Sequence, residues 1–587
     1  MMTKRSIPFY LALVFSCSFY NCKSNTAPAW SHFHSTIFVK AKKEHKLVLL
    51  HLRANWCHWC HVMEEKTYAD PSIISYLKQN YIACSEDHDE RQDLTSLYSE
   101  YGWPATIIFD ENGNELFKEA GYIEATEFLA TLTQLRKNPR PLAAAVLLAD
   151  AVPATASVKQ QSLDKLKNMF RNTLDIDEGG FSFPQKFIDF ETFEYALTHY
   201  QTDTILKQWL RTTVVNSIGI YDTVWGGVYQ YSTNGDWEHA HFEKLLSRQA
   251  TYIKMYCWYY KVFNDAQALK KAEGIAAYVN RFLSATNGGF YNAQDADLIP
   301  GEKAKEYFQL NDEQRMRKGI PAIDSNVYTS DNAQFAEALT ILWATTDNQT
   351  YLNKAAKCVE FLNAQRKVKG AYMHGGKYTS TISLKDNVTM LKTLLLVYRA
   401  TQNTDYKTEA AQLAKTITST FNSGKGYFYT YIGNSAIRAT YNVSENIEVC
   451  RVLNYCAHFF DVPDYKTTAT AVLDFLTNEQ LVHSYSTEPG ILSAAEELSY
   501  EPISAALLLK NGDALKVDYI TTSISFPRFY FNSSIYTKET ITEDKKDLFE
   551  SLDGNCIVLC TSSYCSAPMF NQKDFVTFLY KRVFANK

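Results

Sequence analysis

The residues best suited to chemistry are two cysteines separated by two positions, in the run Trp56-Cys57-His58-Trp59-Cys60-His61. An apolar segment at 46–52 precedes this run and suits a central β-strand. A helical segment begins near Met63, so Cys57 is expected at or just before a helix N-terminus. Free backbone N–H groups and the helix dipole stabilise a thiolate at such a position. The motif therefore predicts a redox-active dithiol.

The two cysteines of such a motif have different roles. We expect Cys57 to attack a substrate disulfide as the thiolate, and Cys60 to resolve the mixed disulfide that results. A protonated His58 between them favours the Cys57 thiolate and makes the couple more oxidising. Trp56 and Trp59 are expected to flank the sulfurs as an apolar docking surface, with ordinary packing as the alternative.

The same run contains four side chains that can bind metals, because His58 and His61 each follow a cysteine. Metal sites usually draw ligand pairs from separate segments, and four ligands in so short a run cannot easily form a tetrahedron. We therefore favour redox chemistry over metal binding and assign His61 a supporting role. Neither a metal nor a cofactor is predicted.

The segments after the motif alternate between strands and helices. Strands are predicted at 81–85, 105–109 and 116–118, and helices at 91–101 and 125–135. This order, with a CxxC after the first central strand and Pro104 opening a later strand, resembles the thioredoxin fold. The resemblance implies that the peptide bond before Pro104 is cis and that this proline faces the dithiol.

Size and composition limit the classes of protein to consider. The chain has 587 residues, of which 46% are hydrophobic and 21% charged, and its formal net charge is -5. These values predict a globular protein of several domains. They argue against a disordered chain and against nucleic acid as a partner.

The N-terminal residues are typical of an export signal. Lys4 and Arg5 precede an apolar stretch at 7–15 that is too short to span a bilayer. The run that ends in Cys17 is similar to a bacterial lipobox, so we predict lipidation of Cys17 and attachment to a membrane through that lipid, in the periplasm or at the outer membrane. Cys22 and plain secretion are the alternatives. Residues 1–29 are accordingly interpreted as signal segment and tether.

Residues 155–510 have a different pattern. Apolar residues recur at three- and four-residue spacing, which predicts a nearly all-helical region. Loops that combine glycine with an aromatic residue return between pairs of these helices, which favours helical hairpins closed into a ring. Residues 511–587 are predicted as a small α/β appendage with strands at 518–526 and 556–560 and a helix at 574–583.

Long motifs in both regions resemble those of one family. In the N-terminal region they are the run at 56–63, Asp87-His-Asp-Glu-Arg-Gln-Asp93 and Tyr101-Gly-Trp-Pro104. In the helical region they include Gly179-Gly-Phe181, Pro184-Gln-Lys-Phe187, Tyr221-Asp-Thr-Val-Trp-Gly-Gly227, Trp237, His241-Phe-Glu-Lys244 and Asp295-Ala-Asp297. On these motifs the chain resembles the spermatogenesis-associated protein 20 family, in which a thioredoxin-like domain is fused to a toroid of the six-hairpin glycosidase type.

This resemblance implies a multidomain protein, α/β followed by all-α. The expected divisions are a thioredoxin-like domain at 30–140, an (α/α)6 toroid at 155–510 and the appendage at 511–587. The chain departs from the family's usual pattern at Arg248, where an Asp is typical. Its C-terminal cysteines, Cys556, Cys560 and Cys565, are similar to the family's usual end; Cys560 with Cys565 is the leading candidate for a disulfide, with free thiols as the alternative.

The resemblance also implies a pocket at the mouth of the ring. Its candidate residues are His241, Glu243, Asp295 and Asp297, and His241 is a candidate base in an epimerase-like scheme. A glycosidase needs two carboxyl groups across a cleft, and further candidates for that role are Asp222, Asp236, Asp324, Asp331 and Glu445. Capping, turn formation or salt bridging is the alternative role for each of them.

Three functions are consistent with these patterns. The first is a thiol–disulfide oxidoreductase of the cell envelope whose partners are protein disulfides. The second is a glycan-processing or glycan-binding protein with an accessory thioredoxin-like domain, for which carbohydrate is the partner. The third is a non-catalytic interaction protein. The dithiol motif, the proline and the export signal favour the first.

Overall fold

A computed structural model describes residues 27–98, 102–142, 156–500, 503–510, 514–525, 531–552, 554–561 and 564–584. Cys17 and most of the predicted signal segment lie outside these residues. Within the described residues, no helix combines the length and apolar character needed to cross a membrane.

The N-terminal region is a four-stranded sheet with helices on both faces. Its elements are α1 (Ile37–Glu44), β1 (Leu47–Arg53), α2 (His58–Lys66), α3 (Pro71–Asn80), β2 (Tyr81–Asp87), α4 (Gln92–Tyr98), β3 (Ala105–Phe109), β4 (Glu115–Ala120) and α5 (Ala125–Lys137). The strand order is β2-β1-β3-β4, with β1 parallel to β2 and antiparallel to β3. The predicted thioredoxin-like fold is confirmed, and the peptide bond between Trp103 and Pro104 is cis.

Strand β1 lies at the centre of this sheet and is buried on both faces. Val48, Leu50 and Leu52 pack into one hydrophobic cluster, whereas Leu47 and Leu49 pack into another on the opposite face. Successive side chains of a strand point to opposite faces, so a strand covered on both sides is apolar throughout. This burial fixes the end of β1, from which the dithiol motif follows.

Residues 156–500 form helices joined by loops that contain very short strands. The helices are α6 (Ala156–Thr173), α7 (Phe190–His199), α8 (Thr204–Asn216), α9 (Leu246–Phe263), α10 (Ala266–Phe282), α11 (Lys305–Phe308), α12 (Asp312–Lys318), α13 (Thr329–Thr346), α14 (Gln349–Arg366), α15 (Leu384–Thr401), α16 (Thr404–Thr420), α17 (Val443–Phe459), α18 (Pro463–Leu476), α19 (Glu479–Val482) and α20 (Gly490–Ser499), and a 3-10 turn lies at Ser217–Ile220. The strands are β5 (Tyr231–Ser232), β6 (Ala240–His241), β7 (Lys244–Leu245), β8 (Ala293–Gln294), β9 (Ile323–Asp324), β10 (Lys367–Val368), β11 (Ala371–Tyr372), β12 (Thr381–Ser383) and β13 (Tyr431–Gly433).

Six of these helices form a closed inner ring. Each contacts the next in the order α7, α9, α13, α15, α17 and α20, and α20 returns to α7. The outer partners in the same order are α8, α10, α14, α16, α18 and α6, so the first helix of the region pairs with the last inner one. The predicted (α/α)6 toroid is confirmed.

Inner and outer helices differ in burial as their positions require. The inner helix α13 is buried on nearly every side, whereas the outer helix α10 buries one face through Ala268, Ala272, Ile275 and Val279. A helix surrounded by others is apolar all round, while one that meets solvent is amphipathic. The two classes of helix in the sequence therefore match the two layers of the ring.

A buried charged network fixes one loop of the toroid to its neighbours. Asp222 Oδ2 accepts hydrogen bonds from Lys244 Nζ at 2.6 Å and from Arg315 Nη1 at 2.7 Å. All three side chains are at most 2% exposed. Burial lowers the pKa of Lys244 to about 8, which reflects the free energy of keeping this cation away from water. Asp222 thus has a structural role that anchors β7.

The C-terminal region is a three-stranded sheet with three helices. Its elements are β14 (Ile503–Leu508), α21 (Ala514–Ile524), β15 (Phe531–Tyr536), α22 (Glu543–Ser551), β16 (Cys556–Cys560) and α23 (Gln572–Phe584), in the strand order β15-β14-β16. Strand β16 and helix α23 agree with the sequence prediction. Cys560 and Cys565 form a disulfide, and Cys556 is a buried free thiol.

The strand predicted at 518–526 is wrong, because residues 518–524 belong to helix α21. The run is rich in β-branched residues, which favour strands when nothing else decides. Here Tyr519, Ile520 and Ile524 are buried, and α21 packs against the inner helices α13 and α15 and against α23. Packing on helices overrides the local preference. The strands of this region that the sequence did not indicate are β14 and β15.

We expect Asp222→Asn to destabilise the protein. The substitution removes the carboxylate that neutralises two buried cations, and breaking a buried ion pair from one side costs about 3 to 5 kcal/mol. Calorimetry should therefore show a clearly lower midpoint of thermal unfolding. Asp236→Asn is the matched control, since Asp236 is 36% exposed and pairs with the exposed His239. Equal midpoints for the two variants would contradict this role.

Candidate functional site

The dithiol lies where β1 gives way to α2. Cys57 is the N-cap residue of α2, and its Sγ accepts a hydrogen bond from the backbone N–H of Cys60 at 3.2 Å. The two sulfurs form a disulfide whose Cα atoms are 5.3 Å apart. The predicted helix N-terminus at Cys57 is therefore present. A sulfur at the N-cap position accepts hydrogen bonds from the first backbone N–H groups of the helix, which stabilise negative charge on it.

Loops of the toroid cover this motif. Cys57 is 4% exposed and Cys60 is completely buried, in a cluster that includes Ala293 of β8 and Leu245 of β7. The backbone N–H of Ala296 also contacts the carbonyl of Trp56 at 3.4 Å. The dithiol thus lies at the interface between the thioredoxin-like region and the ring.

Both histidines of the motif bind one carboxylate of the toroid. His58 Nδ1 lies 2.8 Å from Asp297 Oδ1, and His61 Nδ1 lies 3.2 Å from Asp297 Oδ2. His61 Nε2 is 3.1 Å from the carbonyl of Asn55 and 3.8 Å from Asp295 Oδ2. The sequence predicts separate dithiol and pocket sites, and the structure brings residues of both together.

Burial and pairing shift the pKa values of these groups. Burial lowers the pKa of His61, but the hydrogen bond to Asp297 and the negative charges of both aspartates outweigh it, so the pKa is raised. For Asp297, burial raises the pKa, yet hydrogen bonds with His58 and His61 leave it below its usual value. Burial raises the pKa of Asp295 to about 6. Of the two aspartates, Asp297 is therefore the one whose ionised form is favoured.

The other two predicted pocket residues lie nearby on β6 and the turn into β7. His241 stacks on Tyr231 with ring centroids 4.3 Å apart, and burial together with the charge of His58 lowers its pKa to about 4. Glu243 is 3% exposed, and burial raises its pKa to about 8, assisted by the charges of Asp295 and Asp297. Its Oε2 has no hydrogen-bond partner among the described residues.

A second group of ionisable side chains, which includes the half-buried Asp87 and Asp89, lies beyond Trp56 and was not singled out as a site by the sequence. Asp89 Oδ2 accepts hydrogen bonds from Trp56 Nε1 at 2.7 Å and from Asn292 Nδ2 at 2.8 Å. Burial raises the pKa of Asp89 to about 7 and that of neighbouring Asp87 to about 8. The motif at 87–93 was the available signal, because six of its seven positions carry ionisable side chains.

Trp103, the residue before Pro104, also belongs to this interface. It packs against the dithiol cluster and stacks on His88 with ring centroids 4.0 Å apart. Burial lowers the pKa of His88 to about 3, so this ring is neutral. Trp59 lies next to Tyr122 at 6.0 Å and under Lys303 of the toroid. Trp56 and Trp59 therefore contact both halves of the interface.

The centre of the ring contains a cavity of about 400 Å3 that is separate from the dithiol. Gln92, Thr95 and Ser96 of α4 form one wall, so the thioredoxin-like region borders the cavity. The charged lining residues are Asp189, Glu191, Arg248, Lys254, Glu337, Lys385, Lys392, Glu445 and Glu448. Of the predicted carboxylates, Glu445 alone lines this cavity among the described residues.

Three of the other four predicted carboxylates have structural partners, and the fourth, Asp331, lies in the first turn of α13. Asp222 belongs to the buried network with Lys244, and Asp236 is an exposed partner of His239 at 2.9 Å. Asp324 Oδ2 accepts a hydrogen bond from Asn292 at 2.8 Å. For these three residues the alternative of turn formation or salt bridging describes the geometry.

The N-terminal region matches known thiol–disulfide proteins. A family model described as Thioredox_DsbH, protein of unknown function, DUF255, matches residues 12–138. The thiol:disulfide interchange protein DsbD of Campylobacter jejuni is 31% identical over 118 residues, which is 19% of this chain and 20% of that protein. The thioredoxin-like character of this region is thus supported from both comparisons.

The comparison with solved structures returns toroidal sugar enzymes. A D-mannose isomerase has a TM-score of 0.46 and 12% identity, with 59% of this chain and 97% of that chain covered. A cellobiose 2-epimerase from Bacillus thermoamylovorans has a TM-score of 0.45 and 12% identity, with 55% and 87% covered.

Longer matches extend from the thioredoxin-like region into the ring. Spermatogenesis-associated protein 20 of Mus musculus is 30% identical over 322 residues, and the protein of that name from Rattus norvegicus is 28% identical over 316 residues. Each match covers 47% of this chain and 40% of the relative, so it spans well under half the length of those relatives. The resemblance to spermatogenesis-associated protein 20 predicted from the motifs is thereby confirmed as homology over about half of the chain.

Proposed function

We propose that this chain is a thiol–disulfide oxidoreductase that acts through Cys57 and Cys60. The observation that carries the proposal is the position of Cys57 as the N-cap of α2, with its sulfur accepting the Cys60 N–H. This environment favours the thiolate, which is the reactive form of a cysteine. The similarity of the N-terminal region to DsbD supports the same chemistry.

The exchange uses only these two residues and a substrate disulfide. The Cys57 thiolate attacks one substrate sulfur, which forms a mixed disulfide and releases the other substrate sulfur as a thiolate. The Cys60 thiolate then attacks Cys57 Sγ, so that the Cys57–Cys60 disulfide forms and the second substrate thiolate leaves. Two electrons pass from the protein to the substrate, and the reverse sequence oxidises a dithiol substrate.

The ring supplies the second half of this site. Asp297 holds His58 and His61 on the side of α2 that faces the toroid, and Ala293 packs on the sulfurs. A buried dithiol reacts with a protein substrate only when that substrate reaches Cys57. We therefore propose that β8 and its following loop move relative to α2 during exchange, which makes the ring a selector of substrates.

A second candidate function is carbohydrate processing in the central cavity. Burial raises the pKa of Glu445 to about 7, whereas the pKa of Glu448 on the same helix is lowered because nearby Lys392 and Arg451 outweigh its burial. Two carboxyl groups with pKa values displaced in opposite directions suit an acid and a base.

Hydrolysis and epimerisation screens with oligosaccharides test this second candidate function. We expect Glu445→Gln to be inactive, and turnover that survives this substitution would count against carbohydrate processing in the cavity.

The location of the protein outside the cytoplasm is also proposed, on the N-terminal pattern alone. Lys4, Arg5 and the apolar stretch at 7–15 support export, and the sequence ending in Cys17 supports a lipid anchor at the bacterial cell envelope. An oxidising compartment is consistent with the disulfide between Cys560 and Cys565.

We expect Cys57→Ser to abolish disulfide exchange and Cys60→Ser to accumulate a mixed disulfide on Cys57. Without Cys60 the intermediate has no resolving thiol, so it persists and its partner can be identified by mass spectrometry. Insulin reduction measures turnover. The double variant Cys560→Ser, Cys565→Ser is the control, because it removes a disulfide that lies in the C-terminal sheet. Activity that persists in Cys57→Ser would refute the proposed function.

The pH dependence of stability should include a contribution from Glu445. Its pKa is raised from 4.5 to about 7, so between these values the folded protein holds a proton that the unfolded chain has released. Stability from this group is therefore present at low pH and declines until the pH passes about 7. Denaturant titrations at a series of pH values give the free energy of unfolding as a function of pH. In this window the free energy of unfolding of Glu445→Gln should fall less steeply with pH than that of the parent, by up to about 1.4 kcal/mol per pH unit.

The control for that measurement is Glu313→Gln, because Glu313 has a 79% exposed side chain on the surface helix α12. Its slope should equal that of the parent protein. Identical slopes for the parent and for Glu445→Gln would show that Glu445 does not titrate as described.

Lipidation is tested by labelling cells with a radioactive or alkyne-bearing fatty acid. We expect the parent protein to incorporate the label and Cys17→Ala to lose it, since the lipid is attached through that sulfur. Cys22→Ala is the matched control and should retain the label. Loss of label in Cys22→Ala alone would move the anchor to that residue, and no label in the parent would refute the lipid anchor.

A further inference from the structure

A set of nitrogen and oxygen atoms surrounds His61 at the edge of the dithiol. One ligand atom each from His61, Asp295 and Asp297 lies within 4.8 Å of the others. Two or more ligand atoms bound to one ion at about 2.1 Å are separated by roughly 3 to 4 Å, so small side-chain rotations bring this set to bonding distance. Imidazole nitrogen with carboxylate oxygen suits divalent ions such as Zn²⁺ and Mn²⁺.

The ligand atoms come from two separate parts of the fold. His61 lies in the first turn of α2, and the two aspartates lie directly after β8. The objection to a metal site within the run at 57–61 is that one short segment cannot surround an ion. That objection does not apply here, because the ring supplies oxygen atoms from the opposite side.

Glu243 provides the independent observation that points to a ligand. Its side chain is 3% exposed and its Oε2 has no hydrogen-bond partner among the described residues. Lys244 pairs with Gln294 in the β7–β8 ladder, so the next residues outward, Glu243 and Asp295, are neighbours across the strands. A buried polar atom without a partner carries a free-energy cost that a bound cation removes.

We propose that His61, Asp295, Asp297 and Glu243 form a binding site for a divalent transition-metal ion, Zn²⁺ or Mn²⁺, between the thioredoxin-like region and the ring. His58, bonded to Asp297 at 2.8 Å, orients that carboxylate from outside the ligand set. The site uses no cysteine, so it exists while Cys57 and Cys60 are joined. This metal site goes beyond the proposed oxidoreductase function. Metal binding does not require disulfide exchange, and disulfide exchange does not require the metal.

The test uses the full chain in its oxidised form, so that neither cysteine of the motif can bind the ion. Mn²⁺ is titrated into metal-free protein and free Mn²⁺ is measured by electron paramagnetic resonance, with Zn²⁺ competition afterwards. We expect one ion per chain. Asp297→Asn and the nearly isosteric Glu243→Gln should each weaken binding by at least about tenfold.

Two controls separate this site from other sources of binding. Asp236→Asn removes the carboxylate of an exposed His–Asp pair, at 2.9 Å from His239, and should bind like the parent. The double variant Cys57→Ser, Cys60→Ser should also bind like the parent, which separates a metal site from an active dithiol. Far-UV circular dichroism and thermal unfolding verify that Glu243→Gln is folded.

Three results would overturn the proposal. They are the absence of stoichiometric binding to the oxidised parent, equal affinity in the parent and in folded Glu243→Gln, and binding that appears only when the cysteines are reduced. None of these results bears on disulfide exchange, which is measured separately through Cys57→Ser. Loss of exchange with retained metal binding would likewise leave the metal site intact.

Discussion

The arrangement of this molecule depends on one buried carboxylate, Asp297, which receives both histidines of the dithiol motif. His58 and His61 lie one turn apart on α2, so their rings project from the same side of the helix. Asp297 is 2% exposed and also accepts the backbone N–H of Gly301. Burying an unpaired carboxylate in that position would cost free energy of folding. The loop that carries Asp297 is therefore stable there only when it packs against α2. This contact fixes how the dithiol faces the ring.

The ring that carries this loop is closed by buried ion pairs. Arg451 of the inner helix α17 donates hydrogen bonds to Glu194 of α7 and to Glu497 of α20, all of them buried. These are the helices at which the ring closes, so the network joins its first and last inner members. Asp222 and Lys244 hold β7 in the same way at the mouth. The carboxylates beside the dithiol thus belong to loops of a ring whose closure and mouth are held by buried ion pairs.

The thioredoxin-like region in turn contributes residues to the central cavity of the ring. Helix α4 forms one wall of the central cavity, and Ser96 donates a hydrogen bond to Glu445 at 2.9 Å. The dithiol and the cavity therefore share one interface, and a displacement of the two regions would expose both. Because the half-buried carboxyls of Asp87 and Asp89 along this interface have raised pKa values, the stability of the interface is also sensitive to pH.

Periodicity, capping position and short motifs are local properties, so the amino-acid sequence alone predicts the thioredoxin-like fold, the helical ring and the position of Cys57 at a helix N-terminus. It does not predict the strands β14 and β15 or the helix at 514–524, where packing outweighs local preference. The sequence analysis also assigned His58 and Asp297 to two different sites. They are 239 positions apart in the chain, yet His58 Nδ1 lies 2.8 Å from Asp297 Oδ1. The folded chain brings these two residues close to Glu243 and places Glu445 in a separate cavity. Contacts between remote segments follow from chain topology and leave no periodic pattern in the residues.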